Sequence, residues 1–286
     1  MSKPKAFLYS LGAPILYMLL QFVVLIAIGM YLMVSALAGG TIPTDPLELN
    51  SFTLDLQREL FLYVLPSLII SGALFILIMW LRHKKHSVNL WNVIGITRDV
   101  SVKTLCFAAL AGLAFHVACQ GFIQATPVPQ SWYDANDLAT QAFADISFLS
   151  IITTGLFIPF VEEVAFRGFT QRILHHALLP WSTVIIQGAI FGMFHANSLQ
   201  TLYAFATGVL IGYIYMKSRN LWASVCFHAA FNSANYLMFL IFGEDGAPGS
   251  IALALMAAGG ATLTLLLVKS IEFKKVQDIV QKEEIE

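Results

Sequence analysis

FLSIITTGLFIPFVEEVAFRGF, residues 148–169, is the stretch on which the reading of this chain turns. Residues 148–160 are apolar or small and read as membrane-buried helix. Glu162, Glu163 and Arg167 then interrupt the apolar run. A carboxylate near a bilayer core costs about 3 kcal/mol on insertion scales, so an ionisable residue at that depth marks function by default. Glu163 and Arg167 are spaced i, i+4, share a helix face and can pair. Glu162 is turned about 100° away from Glu163, which leaves it the carboxylate without a local partner and a candidate for proton transfer. The plainer alternative is a helix end at which all three charges reach interfacial water.

The rest of the composition agrees with a lipid solvent. The chain has 286 residues, is 58% hydrophobic and only 12% charged, with a mean hydropathy of +0.75. A soluble domain carries about 25% charged residues. The net charge of -1 says nothing about nucleic acid, and no basic patch interleaved with aromatics points to it, so no nucleic-acid partner is expected. Cys106, Cys119 and Cys226 lie in apolar runs without CxxC spacing, so each reads as a buried small hydrophobe rather than a disulfide or a zinc ligand. The apolar run from Phe7 to Val34 is far longer than the roughly 7–15 residues of a signal-peptide core and reads as a retained membrane helix.

A membrane span needs about 20 largely apolar residues. Eight segments come close: 8–36, 61–81, 102–124, 148–168, 180–197, 199–216, 220–242 and 249–269. The loops between them alternate in charge. Lys3 and Lys5, then Arg82, Lys84, Lys85, Arg98 and Lys103, then Arg172, then Lys217 and Arg219, then Lys269, Lys274 and Lys275 fall on one side. Asp45, Glu48, Asp55 and Glu59, then Asp134, Asp137 and Asp145, then Glu244 and Asp245 fall on the other. Positive loops face the cytoplasm. The expected fold is therefore all-α, a polytopic membrane helix bundle of about eight spans with both termini cytoplasmic. The charged tail from Glu272 reads as a solvated juxtamembrane helix.

The polar residues of the other apolar segments complete a set. His195 stands in AIFGMFHANS; His228 and Asn232 lie at i, i+4 on one face, with Asn235 on the same stripe. His116, in the third span, reads as a core histidine. Each of these alone could be a hydrogen-bonded core residue or interhelical glue. Together, a spare carboxylate, two histidines and an asparagine on three helices can converge on one cavity, where Glu and His activate water and His and Asn hold a developing oxyanion. That is a parts list for amide hydrolysis. Depth sets a condition on it: Glu162 and His195 reach one level if the fourth helix runs on toward His176 and the turn Asn197–Gln200 is buried in protein.

Glu162-Glu163-x-x-x-Arg167, then Phe191-x-x-x-His195, then His228-x-x-x-Asn232, in that order over residues 148–240, resembles the CPBP family of membrane proteins. That family includes the type II CAAX prenyl endopeptidases and bacterial bacteriocin-processing enzymes. The resemblance implies an intramembrane endopeptidase with its site opening toward the cytoplasm. Glu162 and His195 would activate the water, His228 and Asn232 would hold the oxyanion, and Glu163 and Arg167 would support the site. The family has been read both as metallo- and as glutamate-type. No cofactor is favoured here; a divalent metal such as zinc, if used, would take Glu162, His195 and His228. The resemblance divides the chain into 1–147 (the first three spans and their external loops), 148–243 (the catalytic helices) and 244–286 (the last span and the tail). It implies a multi-pass protein of a bacterial plasma membrane, or of the endoplasmic reticulum in a eukaryote. Its partners would be membrane lipid and a membrane-associated peptide or protein substrate. Two other classes compete: a non-enzymatic immunity or regulatory protein, free to lose Glu162, and a small proton-coupled transporter, for which no matched pair of broken helices is present.

Overall fold

The computed structural model describes residues 2–40, 43, 45–140, 147–195, 197–242 and 250–272. Among these there is no strand, and the chain is an all-α polytopic membrane bundle. Its helices are α1 (Lys3–Ser10), α2 (Gly12–Gly39), α3 (Pro46–Leu62), α4 (Val64–Lys85), α5 (Leu90–Ile94), α6 (Val102–Ala125) and α7 (Gln130–Thr140). They continue with α8 (Phe148–His175), α9 (Pro180–Met193), α10 (Ser198–Ser218), α11 (Leu221–Phe242) and α12 (Ser250–Ser270).

Every segment expected to span appears as helix, but the helices are not equivalent. Among the described residues six are long and apolar enough to cross a membrane: Lys3–Ala38, Val64–Lys85, Val102–Ala125, Phe148–His175, Ser198–Ser218 and Ser250–Ser270. α11 has the length of a span at 22 residues. α9 does not: its 14 residues rise about 21 Å against a hydrocarbon core of about 30 Å. The fifth expected span is thus a partial helix, begun by Pro180 at its first turn and ended at the turn that carries His195.

α8 runs on to His175, well past the Gly168 boundary read from the sequence, as the depth condition set above asks of the fourth helix. It is not a regular α-helix throughout. Thr153–Phe157 and Val164–Gln171 are π-helical turns on either side of the paired glutamates, a widening of the helix that recurs at functional sites.

The charge alternation of the loops becomes two ends of the bundle. At one end Arg98 donates to the Arg219 carbonyl, and the Asn220 amide donates to the Arg98 carbonyl. Arg172 donates to the Val93 carbonyl, Lys217 donates to the carbonyls of Val268 and Lys269, and Ser101 reaches Glu272. α3 and α7, which carry Asp45 (as N-cap), Glu48, Asp55, Glu59, Asp134 and Asp137, lie at the other end. Asp145, Glu244, Asp245 and the tail beyond Glu272 lie outside the described residues.

Close approaches lock the central helices. A Cβ on Gly112 of α6 would stand 2.1 Å from the Phe227 carbonyl oxygen of α11, so only a hydrogen fits there and α11 is held hard against α6. A Cβ on Gly208 of α10 would stand 3.0 Å from the Gly188 Cα of α9. The cysteines differ from expectation: Cys106 is exposed on the outer face of α6, and Cys119 and Cys226 are half-buried. In a lipid solvent an apolar thiol gains little from leaving the surface, which removes the pressure to bury it.

Candidate functional site

The fully buried salt bridge is the anchor of the site. Arg167 Nη1 donates to Glu163 Oε1 at 2.8 Å, and both side chains have no exposure. The guanidinium also donates to the Gly208 carbonyl at 3.2 Å and lies over the Phe191 ring, 4.7 Å from its centroid. Gln187 donates to the same Gly208 carbonyl, and Gln171 to that of Gly212. A charge buried this deeply persists only where it is paired and hydrogen-bonded. These contacts fasten α8 to α9 and α10.

His228 joins this anchor from α11. Its Nδ1 lies 2.8 Å from Glu163 Oε1. A carboxylate accepts, so Nδ1 carries the hydrogen and Nε2 is left to face the next carboxylate. That carboxylate is Glu162, whose Oε2 is 3.7 Å from His228 Nε2 and whose side chain keeps 18% of its exposure. The two glutamates therefore divide as the i, i+4 spacing suggests. Glu163 is consumed by Arg167 and His228, while Glu162 faces open space.

That space is a cavity of about 640 Å³, within the range of small-molecule and peptide sites, and Glu162, His195, His228 and Asn232 all line it. His195 is held in the turn after α9: its Nδ1 donates to the Phe191 carbonyl at 2.8 Å, and its own carbonyl accepts from Thr201. Beyond it Asn197 is buried, and its side chain accepts from the Gln200 amide as the N-cap of α10. With Nδ1 occupied, the neutral ring presents an Nε2 lone pair. Asn232 Nδ2 donates one hydrogen to the Thr154 carbonyl at 3.0 Å. An amide nitrogen carries two, so one remains. The Thr154 carbonyl it uses lies in the first π-helical turn of α8. Asn235 lines the same cavity, and Tyr236 beside it is hydrogen-bonded to Ser150 and Thr154.

One feature departs from the sequence reading. His116 is buried, yet it lines the cavity and has a polar partner at i+4, Gln120, which in turn meets Gln124. The signal was present as the spacing 116, 120, 124, and reading His116 singly hid it. The cavity is walled by Tyr133 and Asp137 of the acidic end, and none of its lining residues is a lysine or arginine.

The donors available to a divalent metal such as zinc are Glu162, His195 and His228. Among the described residues no three His, Cys, Asp or Glu side chains are gathered closely enough to hold an ion, so the donor set as placed does not match a metal centre.

Comparison with known proteins bears out the resemblance that the three motifs carry. Residues 144–234 match the family model described as Type II CAAX prenyl endopeptidase Rce1-like. "Lysostaphin resistance protein A" of Staphylococcus epidermidis (strain ATCC 12228 / FDA PCI 1200) is 28% identical over 143 residues, 45% of this chain and 37% of that protein. "Putative membrane peptidase YdiL" of Bacillus subtilis (strain 168) is 24% identical over 179 residues, 54% of this chain and 73% of that one. "Lysostaphin resistance protein A" of Staphylococcus aureus (strain Newman) is 26% identical over 188 residues, 55% of this chain and 44% of that one. The chain thus spans less than half the length of the resistance proteins it matches. No solved structure matches it.

Proposed function

We propose that the chain is an intramembrane endopeptidase of a bacterial plasma membrane, using Glu162 as its base and no metal. The observation that carries this reading is the convergence of Glu162, His195, His228 and Asn232 on one cavity, beside a second glutamate already spent on an arginine. A water held between the His195 Nε2 lone pair and the Glu162 carboxylate gives its proton to Glu162 as its oxygen attacks the scissile carbonyl carbon. The free Asn232 N–H and the His228 Nε2–H receive the oxyanion. This step requires hydrogens on both ring nitrogens of His228, one at Nδ1 for Glu163 and one at Nε2 for the oxyanion. Collapse of the intermediate breaks the C–N bond, and the proton on Glu162 passes to the leaving amine. Water is thereby divided between the two products.

The substrate is a membrane-associated peptide or protein; membrane lipid is the other partner. Purified protein in detergent, offered internally quenched peptides with and without 1,10-phenanthroline, tests the reading. Cleavage that survives the chelator and disappears in Glu162→Gln supports it. Cleavage abolished by the chelator and restored by zinc overturns the metal-free scheme. The non-enzymatic alternative draws on the resistance named in two of the relatives. A Glu162→Gln variant that retains full cellular function would favour it.

A further inference from the structure

A second, smaller cavity lies at the basic end of the bundle. It measures about 160 Å³ and shares no lining residue with the one that holds Glu162. That is well below the roughly 300–1,000 Å³ of a drug-sized pocket and suits a small ligand or a headgroup. Its walls come from the end of α8, the first turn of α9, the end of α10 and the loop after α5. Arg98, Arg172 and Arg219 line it, and among the described residues no Asp or Glu does. The arginines are held in position by backbone. Arg98 Nη1 donates to the Arg219 carbonyl at 3.1 Å, Arg172 donates to the Val93 carbonyl, and the Asn220 amide donates to the Arg98 carbonyl. Arg219 closes α10 at a φ of 55°, a left-handed conformation uncommon outside glycine. Like charges gathered around a concavity repel, and an anion placed between them removes that repulsion.

Buried groups in the wall have unused hydrogen-bonding atoms. Thr183 is 1% exposed, and its hydroxyl has no partner. Arg219 Nε is shielded and has none either. Gln171 spends its amide nitrogen on the Gly212 carbonyl and leaves its Oε1 unpartnered. A buried polar atom without a partner is rare enough to need a reason. The 14-residue α9 also begins here, with Pro180 and Thr183 in the wall, so the positive end of its dipole adds to the field of the arginines. Positive loops alone would explain arginines at this end. They do not explain a concave site floored by an unpartnered hydroxyl. The level of the site is marked by Trp181, exposed and stacked on Tyr213 with ring centroids 5.1 Å apart. Such amphipathic rings settle at the depth of lipid headgroups.

We infer that this cavity is a binding site for a phosphate group, held by Arg98, Arg219 and Thr183. The Arg219 Nε–H, the remaining N–H groups of Arg98 and the Thr183 hydroxyl donate to its oxygens, and Gln171 Oε1 accepts from a hydroxyl of the same ligand. At this depth the phosphate is that of an anionic phospholipid; inorganic phosphate brings the same chemistry from solution. The site stands apart from the Glu162 cavity, and the inference does not rest on the endopeptidase reading.

The test measures the melting temperature of the full chain, purified in a nonionic detergent at low salt, against three added probes. These are phosphatidylglycerol, phosphatidylcholine with the same acyl chains, and inorganic phosphate. Phosphatidylglycerol is expected to raise the melting temperature saturably, and phosphatidylcholine to do so only at much higher concentration. Protection by phosphatidylglycerol but not by inorganic phosphate identifies the lipid as the source; protection by inorganic phosphate alone identifies a soluble one. Thr183→Val keeps the side chain's shape and Arg219→Gln most of its stem. Each is expected to raise the half-saturating concentration of the protecting probe about tenfold, the loss of a hydrogen bond to a charged group. Arg82→Gln, an exposed charge at the same end outside the cavity, is expected to leave it unchanged. Equal protection by the two lipids with none from inorganic phosphate overturns the inference. So does protection that both cavity variants retain in full, or that Arg82→Gln weakens as much as they do.

Discussion

Glu162 and Glu163 are neighbours in sequence and live in different media. Glu163 has no exposure and shares one oxygen between Arg167 and His228, each at 2.8 Å. Glu162 keeps part of its exposure, lines the cavity, and lies 3.7 Å from the His228 Nε2. One carboxylate is fixed by a dry network that ties four helices together; the other is left facing a space large enough for a substrate. On the proposed mechanism Glu162 is the reactive carboxylate: the tight knot beside it carries the cost of burial, and Glu162 itself stays partly solvated.

Breaking the knot should have the broadest effect. Glu163→Gln leaves Arg167 buried with only carbonyl partners, at a cost of about 3–5 kcal/mol. Lower abundance and a lower melting temperature in detergent are expected together with lost activity. Glu163→Gln combined with Arg167→Gln should recover part of the stability, because no unpaired charge remains. A double variant no more stable than the worse single one would show that the pair is not the anchor.

The other side of the contrast is the one proposed to be catalytic, and altering it should leave stability nearly unchanged. Asn232→Ala removes the spare N–H and is expected to lower kcat about 10²–10³-fold. Normal kcat in that variant would take Asn232 out of the oxyanion site. Its melting temperature should fall only slightly, since the single bond to Thr154 is worth about 1 kcal/mol.

A smaller effect is expected at the α6–α11 contact. Gly112→Ala forces a methyl against the Phe227 carbonyl, and the strain should cost about 1–3 kcal/mol. An unchanged melting temperature would mean that the two helices separate freely, and His228 would then not be held by packing. The least effect is expected at the lipid-facing Cys106, where replacement by Ala should leave melting temperature and turnover within experimental scatter; inactivation would point to thiol chemistry.

Much of this contrast was legible in the sequence. The i, i+4 spacing of Glu163 and Arg167 fixes their pairing on any helix, and it survives the π-helical turn between them. The stripe of His228, Asn232 and Asn235 needs only a regular α11 to face one cavity. What was hidden depends on tertiary packing. The spacing pattern cannot show that α9 stops at 14 residues, because the apolar run continues into the turn that precedes α10. Nor can it show that Glu163 also holds His228, 65 positions away. The place of α6 in the cavity wall was obscured for a different reason: His116, Gln120 and Gln124 are individually ordinary, and only the folded chain brings them together along one cavity.

The most direct test compares Glu162→Gln with the unaltered protein, measuring peptide cleavage and melting temperature on the same purified preparations. The substitution keeps the side chain's size and removes only its capacity to accept a proton. The account predicts an unchanged melting temperature, normal abundance and a fall in turnover of about 10²–10⁴-fold. A Glu162→Gln protein that cleaves at the unaltered rate would contradict it.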